Sequence, residues 1–214
     1  MLINVNSNHV LERNASGYKQ TFIKKIYDSC DIIMCLDATQ LPPLKKLRTT
    51  AKLVVNPLLV DNELLELLKK QVLTESNPFY LSAGFDSGTN FDFSNVISKI
   101  PIVCVTKSNP IPFNKYIYLL HKCKAVVLRR NYNPASSDLT GNTTVIEALA
   151  AEKPVIINDQ TWLKALKEPN IHVYKDDADL ERMLLQNNLT WKPTKNNYTI
   201  QKYLRNLKKI LELE

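Results

Sequence analysis

Five residues near the middle of the chain have the types and spacing to hold a phosphorylated ligand: Gly141, Asn142, Thr143, Thr144 and Glu147. The chain contains only four glycines, and Gly141 stands in a turn just before a helical apolar pattern. A glycine there lets the backbone approach a ligand closely. A helix N-terminus presents unpaired N–H groups and a partial positive charge, which suits a phosphate. Thr143 and Thr144 add hydroxyl donors, and Glu147, one turn further in, can accept bonds from both hydroxyls of a ribose. The same spacing also suits a structural arrangement, with Thr144 as N-cap and Glu147 as its capping-box partner three residues on.

The elements that must position these residues follow from periodicity. Short apolar runs predict strands over residues 2–5, 31–36, 52–55, 79–82, 101–105, 125–128, 154–157 and 171–173. Between them, helical patterns predict helices over 18–29, 43–49, 61–73, 91–98, 114–123, 143–151, 161–166 and 177–186, with a last helix over about 199–213. Strands alternating with helices predict an α/β protein with a Rossmann-like parallel sheet, its strands continuously apolar because both faces are covered. Ligands in such sheets lie beyond the carboxyl ends of the strands. The strand over 125–128 ends at Arg129 and Arg130, and a loop leads from there to the helix at Thr143. The polar stretch 74–78 marks a boundary. It separates a reduced N-terminal α/β segment over 1–75 from a larger lobe over 76–214 that carries the C-terminal helix. Three strands are thin for a self-sufficient lobe, so a second copy or a partner subunit is expected to complete it.

The 214 residues carry a formal charge of +7, with a pI near 9.1. That balance favours an anionic partner such as a nucleotide or a phospholipid surface. Nucleic acid ranks low, because no recognisable reading motif is present. Cys30, Cys35, Cys104 and Cys123 form no C-x-x-C pair and have no histidine at metal-ligand spacing, so buried free thiols in a reducing compartment are expected. No secretory leader and no apolar run of membrane-spanning length is visible, which points to the cytoplasm. The last helix sets Ile200, Tyr203, Leu204, Leu207, Ile210 and Leu211 on one stripe and Lys202, Arg205, Lys208 and Lys209 off it. It either packs back across the lobes or touches a membrane surface.

The run "GNTTVIEALAAEKPVIIND" closely resembles the signature of GT-B glycosyltransferases of the GT4-like kind, in which a loop leads into a helix with E-A-x-A, then x-K-P-V-I and a strand. Asn56-Pro57 and Val60-Asp61 resemble the family's "PNG-V-D" element, and "NPFYLSAGFDSGTNFDFSNVI" its first strand and loop of the nucleotide-binding lobe. The resemblance implies a nucleoside diphosphate sugar as donor and a hydroxyl acceptor on a glycan, lipid or protein. It implies no further cofactor and no metal. Glu147 matches the second carboxylate of the family's E-x7-E motif, which holds the ribose, and Gly141, Asn142, Thr143 and Thr144 match its diphosphate loop. The first carboxylate position holds Leu139, with Asp138 beside it as the available substitute. The first loop of the lobe, with Gly84, Ser87, Gly88, Thr89 and Asn90, lacks the family's basic residues, leaving Arg129 and Arg130 to neutralise the diphosphate. His9 falls where the family places a histidine facing the cleft, and is the candidate catalytic residue. These departures leave a second reading open: a non-catalytic subunit or pseudo-enzyme that keeps the lobe for assembly or nucleotide sensing.

Overall fold

The structure is a computed structural model that describes residues 2–5, 17–35, 41–56, 66, 77–84, 90–129, 143–158, 168–194 and 200–211. The predicted helices over 61–73, apart from the helical residue Glu66, and over 161–166 lie outside those residues, as do Trp162 and the boundary over 74–76.

Two parallel sheets are present, one of three strands and one of five. The smaller takes β1 (Leu2–Val5), β2 (Ile32–Cys35) and β3 (Lys52–Val55) in chain order. Helix α1 (Gly17–Asp28) joins β1 to β2, and α2 (Leu41–Lys46) joins β2 to β3. Helix α2 starts two residues before the expected position 43, so that Pro42 and Pro43 fall in its first turn. There the missing N–H of proline leaves no bond unmade. Tyr27, Cys30, Ile33, Cys35, Leu44 and Ala51 form the core of this unit.

The larger sheet contains β4 (Tyr80–Ala83), β5 (Ile102–Val105), β6 (Val126–Leu128), β7 (Val155–Ile157) and β8 (Ile171–Val173), ordered β5-β4-β6-β7-β8. Alternate residues of each strand point to opposite faces. Leu81, Val126, Leu128, Val155 and Ile157 pack under α3 (Phe113–Lys122) and α4 (Thr143–Ala150). Tyr80, Val127 and Ile156 face the other way, against Leu180 and Leu184 of α5 (Asp177–Gln186). With helices on both faces, the sheet is doubly wound. Helix α6 (Ile200–Ile210) closes the described chain, with Ile210 buried while Leu204 and Leu211 stay exposed. Cys30, Cys35 and Cys123 are buried free thiols, and Cys104 is a half-buried one.

The helix expected over 91–98 does not form. Asp92 instead takes hydrogen bonds from the Ser94 N–H (3.0 Å) and hydroxyl (2.6 Å), an Asx-type turn that competes with helix. Phe93, Val96 and Ile100 pack this irregular β4–β5 crossover onto the α5 face. Helix α4 ends where Glu152 turns left-handed at φ 58°, and the Lys153 N–H closes back on the Ala148 carbonyl at 2.8 Å. That turn is what lets Pro154 and β7 follow the helix so soon. The exposed Arg48, which ends α2, is left-handed too, at φ 52°. A side chain is disfavoured in that region and glycine is not. Arg48→Gly is therefore expected to stabilise the protein by about 0.5–1 kcal/mol, a rise of roughly 1–4 °C in Tm measured by circular dichroism. A fall in Tm would show that the arginine side chain contributes more than its backbone strain removes.

Candidate functional site

The strand order reverses at β4. The chain leaves β4 to form β5 on one side, then returns past it to form β6 on the other. A crevice opens beyond the carboxyl ends of the two strands at such a switch point. Gly84 ends β4 there, its N–H bonded to the Val105 carbonyl at 3.2 Å. Arg129 follows β6, and the two segments are tied together where the Asn90 N–H donates to the Arg129 carbonyl at 2.7 Å. Asn90 in turn accepts the Asp92 N–H on Oδ1 at 2.8 Å.

Arg129, a candidate donor-site residue, makes several contacts within the protein. Its guanidinium donates to the Asp92 carbonyl (2.5 Å) and to Asp177 Oδ1 (2.7 Å), and its Cζ lies 4.9 Å from the centre of the Phe93 ring. Its side chain is only 15% exposed. An arginine stacked and bonded in this way holds the β4–β5 crossover and the start of α5 against the end of β6. Asp177 and Phe93 were not legible as its partners, because they lie far from it in sequence. The buried Tyr174 adds a bond from its hydroxyl to the Leu128 carbonyl at 3.3 Å.

Helix α4 begins at Thr143, inside the phosphate cradle expected over 141–144. Thr144 lies inside the helix and is 8% exposed, so it is not the cap of a capping box. Its hydroxyl bonds the phenol of Tyr116 on α3. That phenol donates to Glu147 Oε2 at 2.7 Å. The structure thus joins Thr144 and Glu147 through a residue that the sequence presents as core. The available signal is that a buried tyrosine needs a partner for its hydroxyl. Tyr116 is 8% exposed on the packed face of α3, beside Ile117 and Leu120. Burial pushes its phenol well above the ordinary tyrosine range, and the neighbouring Glu147 pushes it the same way.

Of the remaining candidates, His9, Ser87, Gly88, Thr89, Arg130, Asp138, Gly141 and Asn142 lie outside the described residues. Among the described residues, no group of three or more His, Cys, Asp or Glu side chains could hold a metal ion, and no helix is long and apolar enough to cross a membrane.

No protein-family model matches this chain, and no curated protein matches it by sequence. Solved structures do match. Sucrose-phosphate synthase (tll1590) from Thermosynechococcus elongatus aligns over 99% of this chain and 67% of its own, at TM-score 0.65 and 13% identity. Trehalose-6-phosphate synthase, solved in a study of enzymatic glycosyltransfer with retention, aligns over 93% and 61%, at TM-score 0.56 and 11% identity. AviGT4, a glycosyltransferase involved in avilamycin A biosynthesis, aligns over 85% and 63%, at TM-score 0.52 and 14% identity. The fold is that of GT-B glycosyltransferases. Two parallel sheets with separate cores are consistent with a GT-B fold, and this chain spans 61% of trehalose-6-phosphate synthase and 63% of AviGT4. Identities this low establish the GT-B architecture alone.

Burial raises the pKa of the Glu147 carboxyl, and the Tyr116 hydrogen bond opposes that rise. A carboxyl that is more basic folded than unfolded binds more protons in the native state. Its favourable contribution to folding is whole below the unfolded value of 4.5 and is lost as pH rises through the higher native value. Glu147→Gln removes that dependence and keeps an acceptor for Tyr116. The Tm difference between variant and wild type should therefore drift in favour of Glu147→Gln as pH rises from about 4 to about 8. Parallel melting curves would contradict the burial of this charge.

Proposed function

We propose that the chain binds a nucleoside diphosphate sugar at the carboxyl edge of the five-stranded sheet and transfers the sugar to a hydroxyl acceptor on a glycan, lipid or protein. The observation that carries this reading is Glu147. It sits one turn into the helix that opens beside the switch point, half-buried, with one oxygen held by Tyr116. A helix N-terminus stabilises a departing diphosphate, and a fixed carboxylate orients the ribose. Catalysis in such a site is mostly positioning and charge stabilisation. The proposed donor set is completed by Gly84, Ser87, Gly88, Thr89, Asn90, Arg129, Arg130, Asp138, Gly141, Asn142, Thr143 and Thr144. His9 is the proposed catalytic group on the acceptor side, which is supplied by 1–75 with a second copy or a partner subunit. The reading calls for no metal and a cytoplasmic setting.

The alternative is a lobe that senses or holds a nucleotide without turning it over. Release of nucleoside diphosphate from a sugar nucleotide, by the chain alone and with candidate partners, separates the two.

The first test is stabilisation by ligand. A nucleoside diphosphate at a hundred times its Kd should add about 2.7 kcal/mol, which is roughly 5 to 10 °C in Tm for a chain of this size. UDP, GDP and ADP at millimolar concentration are the probes. No shift and no calorimetric heat with any of them would overturn the donor-site reading.

A further inference from the structure

We propose that Tyr116 is a positioning residue for the donor subsite: its phenol pins one oxygen of Glu147 and so presents the other to the ribose hydroxyls of a bound nucleotide. This rests on the donor-site reading above and adds to it a residue that the family resemblance did not supply.

Three observations support the assignment. The Tyr116 hydroxyl supplies, at 2.7 Å to Oε2, the one hydrogen bond that the Glu147 carboxylate makes among the described residues. Glu147 is half-buried, so part of its side chain reaches solvent. The two residues also come from different crossovers. Tyr116 rides on α3 between β5 and β6, and Glu147 on α4 between β6 and β7. Their bond spans the helix pair that covers one face of the switch point.

The physical argument concerns the freedom of a half-buried carboxylate. Glu147 has three rotatable side-chain bonds and is desolvated, so an unanchored carboxylate would turn toward water or take up a proton. A short bond from a phenol that is itself held by buried packing removes that freedom. Thr144 bonds the phenol in turn and restricts its swing. The ordering is then complete before the nucleotide arrives, and bidentate engagement of a ribose loses less entropy. A tie that served only to join two helices would not need a half-buried, desolvated carboxylate. Gln or an apolar pair would serve as well.

The test compares wild type, Glu147→Gln, Tyr116→Phe and Thr144→Val by calorimetry. The probes are whichever of UDP, GDP and ADP binds wild type most tightly, and its 2′,3′-dideoxy counterpart. Tyr116→Phe removes one oxygen from a packed ring, and its melting curve verifies the fold. The expected result is a loss of about three- to tenfold in ribonucleotide affinity, with little or no loss for the dideoxy probe. Thr144→Val, which removes the second bond on the phenol, should show a smaller loss with the same ribose dependence. An equal loss for both probes would mark Tyr116 as structural and overturn the assignment. So would wild-type affinity in Tyr116→Phe beside a loss in Glu147→Gln, and that outcome would leave the donor-site reading standing. No binding by wild type to any nucleoside diphosphate would overturn the donor-site reading itself, and the positioning role with it.

Discussion

Strand β4 takes β5 on one side and β6 on the other, and the chemistry at the carboxyl edge of the larger sheet depends on that single reversal. Parallel neighbours cannot be joined by a tight turn, so each pairing requires a crossover over one face. A crossover that leaves in one direction and returns in the other must use opposite faces to keep the same hand. The Phe93–Ile100 packing on one face and α3 on the other meet that requirement. In sheets of this kind, departure in opposite directions opens a crevice between the ends of two such strands.

The rim of that crevice is held by interactions that bridge distant parts of the chain. Arg129 ties β6 to the β4–β5 crossover and to α5 at once, and the Asn90 N–H bonds the carbonyl of that same arginine. Such a pair, shielded on the arginine side, is worth more than a surface ion pair, although half of Asp177 remains in water. The guanidinium gives the rim rigidity where a free cation would have given it charge. In the proposed donor site, further charge near the diphosphate comes from Arg130 and from the helix N-terminus at Thr143.

The helix pair on the other side of the rim carries the opposite kind of charge. Glu147 is desolvated by the packing of α4 on α3, and a single phenol compensates it. A buried carboxylate with fewer partners than its lone pairs reduces stability, and groups of that kind concentrate at functional sites. The same packing buries Thr144 and brings its hydroxyl against Tyr116.

Apolar periodicity determined most of the elements. The strands over 52–55 and 171–173 and the helix over 177–186 match the structure residue for residue, because buried strands and amphipathic helices leave patterns of period 2 and 3.6 in any sequence. The E-A-x-A-x-x-K-P-V-I run marked the α4–β7 unit for the same reason, its lysine and proline following a left-handed turn at Glu152. What the tertiary structure alone decided was pairing across long separations. It set the order of the five strands, the capture of Arg129 by a residue 48 positions away, and the bond between Tyr116 and Glu147, 31 positions apart. The turn at Asp92 in place of a helix belongs with these, since packing of Phe93 and Val96 on the sheet outweighed a weak local preference. A side chain's type shows what it can bond, but only the fold's closure of distant segments decides which partner arrives within 3 Å of it.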